Sequence, residues 1–289
     1  MQNQVASVIP GEEMWRQTNM NAMDRILEAN RMMRSLSGLT LKEGDIARSS
    51  VRSAITCTGN SCLWPKSVDG YVYVPYIISS QYDNMDRMTI ETGMQDISSG
   101  TCVKFVPRSH EANFLDIQPK LGCWSFLGVT GGAQILSLET PGCMWAGVAS
   151  HELMHALGFV HEQSRSDRDR YVTILWDNIL QDQVHNFKKY KTNNLNTAYD
   201  YNSIMHYGRY AFSEDGDPTI IPKPDPFIPI GQREGPSPTD IQKINVLYNC
   251  SKFNTSIFQC PLRSCLTNSA DEVITRFVFP LSPPSDGLV

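Results

Sequence analysis

The stretch from His151 to Asp169, reading HELMHALGFVHEQSRSDRD, constrains this chain more than any other. On a helix, His151 and His155 stand four residues apart and present their imidazoles on one face, close enough to share a metal ion. His161 cannot join them while the helix continues, because ten residues further on is about 15 Å along the axis. Gly158 supplies the turn, since glycine enters the left-handed conformation that ends helices at no steric cost. Three neutral imidazoles leave one position of a tetrahedral zinc open, which is the arrangement of a catalytic site. Glu152 follows the first histidine directly and can reach a water in that position without being a ligand, so it is the natural general base for amide hydrolysis. A lone helical histidine is better explained as a core residue, but HExxHxxGxxH specifies five positions together and matches the elongated zinc pattern of metzincins.

The continuation through Glu162, Arg165, Asp167, Arg168 and Asp169, followed by Ser203, Met205, His206 and Tyr207 as SxMHY, resembles the astacin family of zinc endopeptidases. The resemblance runs from about Cys57 to Cys250 and is similar to the fish six-cysteine branch that includes hatching enzymes and nephrosin. It implies an α+β fold: a two-lobed, metzincin-type zinc protease domain with a mixed sheet in the N-terminal lobe and a helical, loop-rich C-terminal lobe. It also implies one Zn2+ per chain, held by His151, His155 and His161. Met205 becomes a hydrophobic floor beneath the metal, and Tyr207 a phenol that binds zinc and swings away to stabilise the tetrahedral intermediate.

Residues 1–52 read as a pro-segment, 53–250 as the catalytic domain and 251–289 as a short tail. From Asn19 to Leu36 apolar residues recur at helical spacing between charges, giving an amphipathic helix that packs on the next domain. Met1 to Pro10 lacks the basic and apolar regions of a secretory signal, so an incomplete or alternatively started sequence is expected. Astacin pro-segments carry an FxGD motif whose aspartate blocks the metal. Asp45 of LKEGDI matches it, with Lys42 where the family has an apolar residue. A Gly-Asp pair is also an ordinary turn. Arg48 and Arg52 lie in a polar, small-residue loop of the kind proteases nick, so a trypsin-like protease cutting after Arg52 would expose Ser53. The resemblance then makes Glu162 the buried partner of the new N-terminus; a solvated Glu162 is the alternative.

The remaining elements are coarse. Tyr71–Ser79, Cys102–Val106, Asn113–Ile117 and Gly131–Leu138 read as strands, and residues 85–98 as a helix. The resemblance makes Gly131–Leu138 the rim to which an extended substrate adds, with an ordinary edge strand as the alternative. A helix is expected from near Trp176, and Ser237, Pro238 and Asp240 open another. His110 and His185 read as surface residues, and His206 as part of the turn that carries Met205.

Eight cysteines are too many for a reduced cytosolic enzyme and point to an oxidising compartment. They allow 105 pairings, and spacing alone does not choose among them. The resemblance implies Cys102–Cys250, Cys123–Cys143 and Cys57–Cys62, leaving Cys260 and Cys265 as a local bridge in the tail. Asn249 and Asn254 head glycosylation sequons if the protein is secreted. A net charge of −5 argues against nucleic acid, and no apolar run is long enough to span a bilayer. The chain is expected to be a monomer, secreted or stored in secretory granules, acting on protein or peptide substrates. Egg-envelope digestion at hatching and a nephrosin-like tissue or defence role share the same motifs. A secreted zinc-containing binding protein without turnover is the alternative of another class.

Overall fold

The computed structural model describes residues 22–36, 41–47, 62–232 and 234–251. Arg52, Ser53, Cys57, Asn254, Cys260 and Cys265 lie outside these residues, as does the tail beyond Ser251.

Helix α1 (Ala22–Leu36) precedes a hairpin of two short strands, β1 (Leu41–Lys42) and β2 (Ile46–Ala47). Five further strands carry most of the sheet: β3 (Val72–Ile78), β4 (Val103–Pro107), β5 (Phe114–Gln118), β6 (Cys123–Phe126) and β7 (Ala133–Leu138). The seven run in the order β1-β2-β6-β7-β5-β3-β4. Pairing is parallel except at β1–β2 and β6–β7, so the sheet is mixed. The rim strand is therefore not Gly131–Leu138, which lies between β5 and β6 as an interior strand. The outer strands of the five are β4 and, beside β7, β6, whose four residues CWSF follow Gly122 and are too short to show an alternating pattern. Its open side is covered by β2, with Ile46 opposite Ser125 and Ala47 opposite Phe126.

One face of the sheet packs on two helices, α2 (Asn84–Ser98) and α3 (Ala146–Ala156). Val72, Val74, Leu115, Ile117, Leu136 and Leu138 point into this core at every second position, as the strand period requires. Asp83 caps α2 in a reciprocal box with Asp86. Helix α3 is buried from Gly147 to Ala156 and packs against α2, α1, β6 and β7. A helix so enclosed is held by its surroundings on all sides, and that rigidity passes to the side chains it carries.

After α3 the chain is mostly loops and 3₁₀ turns, with a small hairpin of β8 (Val172–Ile174) and β9 (Ile220–Pro222) and a last helix, α4 (Pro238–Leu247). Ser237 caps α4 with Pro238 in its first turn. The helix expected near Trp176 is instead two 3₁₀ segments, Trp176–Asn178 and Gln181–Phe187. Ile179 between them takes extended dihedrals and bridges to Ser213, and Leu180 donates to the carbonyl of Phe212, so the backbone leaves the helix at that point. Disulfides join Cys102 to Cys250 and Cys123 to Cys143, and Cys62 is also disulfide-bonded. Among the described residues no helix is long and apolar enough to cross a membrane.

Helices α2 and α3 approach most closely at Gly93, where an added Cβ would stand 2.8 Å from Ala149 Cβ and 2.9 Å from the carbonyl oxygen of Ala146. Backbone cannot yield as a flexible side chain does, so Gly93→Ala is expected to cost about 1–3 kcal/mol. Thermal or urea unfolding of the zinc-saturated, disulfide-intact protein measures it; an unchanged midpoint would show that the contact relaxes freely.

Candidate metal centre

Three imidazoles and one carboxylate converge at the end of α3. His151 and His155 project from one face of the helix, and Gly158, at φ +101°, turns the chain so that His161 returns to them. His155 Nδ1 lies 2.7 Å from the carbonyl of Phe159, and His151 Nδ1 lies 2.9 Å from that of Ile204. His161 Nδ1 lies 2.7 Å from Glu43 Oε2. Carbonyl and carboxylate oxygens only accept, so each Nδ1 donates to its fixed partner and each ring turns its Nε2 inward.

The fourth donor is Asp45. Its Oδ2 lies 3.0 Å from His151 Nε2 and 3.1 Å from His161 Nε2, and its Oδ1 lies 3.3 Å from His155 Nε2. Four donors around a tetrahedral ion with bonds of about 2.0–2.1 Å stand about 3.3 Å apart, so these separations fit one zinc. Asp45 Oδ1, His155 Nε2 and both carboxylate oxygens of Glu152 are buried with no hydrogen-bond partner, as groups facing a cation would be. All four donor residues and Glu152 are fully buried.

Burial is the largest influence on each of these groups. It lowers His151 to about 4 and drives Glu152 well above the usual carboxylate range, with the charge of Asp45 pushing Glu152 the same way. Burial would lower His161 too, but Asp45 and Glu43 outweigh it and raise the ring to about 9. Burial would raise Asp45, and the surrounding histidines more than reverse that.

Asp45 arrives on the hairpin turn Glu43-Gly44-Asp45. Gly44 has φ +88°, and a Cβ there would stand 2.6 Å from Leu27 of α1, so no other residue fits without displacement. Lys42 places its ammonium 3.7 Å from the centroid of the Tyr190 ring, a cation–π contact. Asn30 of α1 anchors the turn: its amide donates to Gly44 O at 2.8 Å and Cys123 O at 2.6 Å, and accepts from Cys123 N at 2.7 Å. Ser125 N donates to Asp45 O. The outward main-chain groups of β6 are thus engaged by the N-terminal segment.

Tyr207 and Glu162 both carry partners in this form of the chain. Tyr207 donates its hydroxyl to the carbonyl of Glu43 at 2.6 Å, and Asp45 stands as the fourth donor beside the three histidines. Glu162 is buried but not in want of a partner: it accepts from Lys243 Nζ at 2.6 Å, Arg165 at 3.1 Å and Asp200 N at 2.8 Å. Burial still raises its pKa, and Lys243 and Arg165 only partly offset that. Met205 is buried in the turn Ser203–Tyr207, and its carbonyl accepts from Glu162 N. His206 is buried between Tyr199 OH and the carbonyl of Tyr207, while His110 and His185 are exposed. Asn249 is exposed, at φ +50°.

Glu43, Asn30, Lys243 and the wider role of Asp240 were not singled out from sequence. Asp240 is the third residue of α4 and a helix cap, and it also accepts from Ser203 Oγ at 2.6 Å and Ile204 N at 2.9 Å. It thereby fixes the turn whose Ile204 carbonyl orients His151. Only its place in the cap showed locally; its other contacts are 36 and 37 residues away in sequence.

A profile of the peptidase family Astacin matches residues 60–249. High choriolytic enzyme 2 from Oryzias latipes is 52% identical, covering 78% of this chain and 80% of that protein. An astacin-like metalloendopeptidase from Gallus gallus is 46% identical over 81% of this chain and 56% of its own length. Among solved structures, High choriolytic enzyme 1, a hatching enzyme zinc-protease from Oryzias latipes, superposes with a TM-score of 0.66 at 53% identity. It covers 68% of this chain and 100% of that one.

Asp240→Ala leaves a buried hydroxyl and two buried N–H groups without an acceptor, each costing about 1–3 kcal/mol. The expected loss is about 3 kcal/mol or more in chemical unfolding, with weaker zinc binding in competition titration. Asp240→Asn should recover part of both, and an Ala variant of undiminished stability would refute the anchoring role.

Proposed function

Because the chain belongs to the astacin family and is a zinc metalloendopeptidase, we propose that it is made as a secreted zymogen that digests egg-envelope protein at hatching. The observation that carries the zymogen reading is Asp45, which lies within 3.0–3.3 Å of the Nε2 of all three histidines. The hatching substrate is supported by relatives named for choriolytic and hatching activity. Disulfides within the catalytic part support secretion, since such bonds persist in oxidising compartments.

In this reading residues 1–52 are the pro-segment, 53–250 the catalytic domain and 251–289 a tail, and the enzyme acts as a monomer. A trypsin-like protease cuts after Arg52, and Ser53 begins the mature chain, its amino terminus joining the buried ionic group of Glu162. Asn249 and Asn254 are the glycosylation positions.

His151, His155 and His161 would hold the zinc. Bound there, zinc supplies a Lewis acid that polarises the scissile carbonyl and brings the pKa of water to about 7. Glu152, one residue past the first ligand, takes a proton from the attacking water and passes it to the leaving amine. Departure of the pro-segment frees the Tyr207 hydroxyl from Glu43 O, and the phenol then donates to the developing oxyanion. It also frees Cys123 and Ser125 of β6, whose main-chain groups take an extended peptide as an added strand.

Casein hydrolysis before and after limited trypsin treatment, with and without a zinc chelator, tests this reading. Activity should appear only after cleavage near Arg52, checked by N-terminal sequencing, and should vanish with chelator. An uncleaved chain already at full activity would end the zymogen reading. Glu152→Gln should keep its zinc and melting temperature while kcat/KM falls by about 10²–10⁴ or more; near-normal turnover would remove Glu152 from its role. Asp45→Ala should hydrolyse casein without cleavage, and a silent uncleaved variant would count against Asp45 as the blocking group.

A further inference from the structure

The three imidazoles are not held alike. His151 and His155 give their Nδ1 protons to main-chain carbonyls of the catalytic part, Ile204 O and Phe159 O. His161 alone gives its proton to a carboxylate, and that carboxylate belongs to residue 43, at a sequence separation of 118. Glu43 is fully buried, and all its hydrogen-bonding groups are engaged. Oε2 takes the His161 proton, Oε1 accepts from Ser164 Oγ at 2.8 Å, the main-chain N–H donates to Asn186 Oδ1 at 2.8 Å, and the carbonyl accepts from Tyr207. It achieves this in a left-handed conformation, φ +54°, which strains a residue that has a side chain. A strained, buried carboxylate with every valence used is held there by its contacts, and those contacts are to a metal-ligand ring and its neighbours.

We propose that Glu43 is a removable positioning residue of the metal centre. It fixes the ring of His161 and strengthens it as a donor, so that the uncleaved chain holds zinc more tightly than Asp45 and three histidines alone would. A carboxylate on the far nitrogen of a ligating histidine sets the tautomer, locks the ring and raises its basicity, and its loss typically weakens metal binding about 10–100-fold. Because Glu43 departs with the pro-segment, the chain would carry its metal most firmly before activation. This inference rests on the zymogen reading and adds to it a second carboxylate with a different task from that of Asp45.

The site of the substitution provides its own control. Glu43 lies N-terminal to Arg52, so cleavage there turns wild type and every Glu43 variant into the same mature chain. Zinc release from the uncleaved, zinc-loaded protein into excess chromogenic chelator is measured for wild type, Glu43→Ala and Glu43→Gln, then repeated after cleavage and removal of residues 1–52. Uncleaved Glu43→Ala should bind zinc about 10–100-fold more weakly than uncleaved wild type. Glu43→Gln should fall between, since its amide oxygen still accepts from Nδ1 without the charge. All three should coincide after cleavage. Uncleaved Glu43→Ala that retains zinc as well as wild type overturns the proposal; should the Ala variant fail to fold, Glu43→Gln decides alone, and retention equal to wild type overturns it. Casein hydrolysis by cleaved wild type separates the two readings: no rise on cleavage rejects the zymogen, while the zinc-release comparison of uncleaved chains still judges Glu43.

Discussion

The site depends on three Nδ1 protons being spent elsewhere. Unless each imidazole gives that proton to a fixed acceptor, its Nε2 lone pair is not aimed and three rings cannot converge on one point. Two acceptors are carbonyls placed by features of the catalytic part. Phe159 O is delivered by the turn at Gly158, and Ile204 O by the turn that Asp240 holds from α4. The buried helix α3, the glycine after it and the cap of a helix much later in the chain all serve one geometric end.

The same demand explains how much charge lies out of water. Glu162, Lys243 and Arg165 form a buried ionic group directly after the third histidine, and Asp240 sits fully buried one turn before Lys243. Ion pairs of this kind seldom stabilise a fold more than apolar residues of equal size would. They do specify direction, because each carboxylate oxygen is matched to one donor. Here they join α4, the loop at Asp200 and the segment after His161, and these are the pieces that must stay in register around the histidines.

How much of this was legible in the sequence follows the distance over which each contact acts. The pairing of His151 with His155 and the turn at Gly158 are local consequences of helical periodicity and of one residue's steric freedom, and both read directly. The mixed sheet and the α+β class followed from the resemblance. Strand β6 did not read from the sequence: four residues of Cys, Trp, Ser and Phe carry no period, and the resemblance had put the rim at its longer neighbour. The helix expected at Trp176 failed because Ile179 and Leu180 pair with Ser213 and Phe212, partners that propensity cannot see. Glu43 stood beside Asp45 in plain view, yet its meaning lies in His161, Ser164, Asn186 and Tyr207. Lys42 departs from an apolar motif position, and the Tyr190 ring that its ammonium faces lies far from it in sequence.

Among the described residues, the N-terminal segment holds on through residues 22–47: Asn30 on Cys123, the hairpin on β6, Glu43 and Asp45 on the histidines. A cut between residues 48 and 61 breaks none of these contacts. What it removes is the tether, which keeps the segment at an effective concentration on the order of millimolar whatever the amount of protein present. After the cut, the segment and the enzyme are two molecules in an ordinary binding equilibrium, and dilution decides how fully they part. Crowded enzyme would stay restrained by its own severed segment, and the same enzyme spread into a larger volume would not.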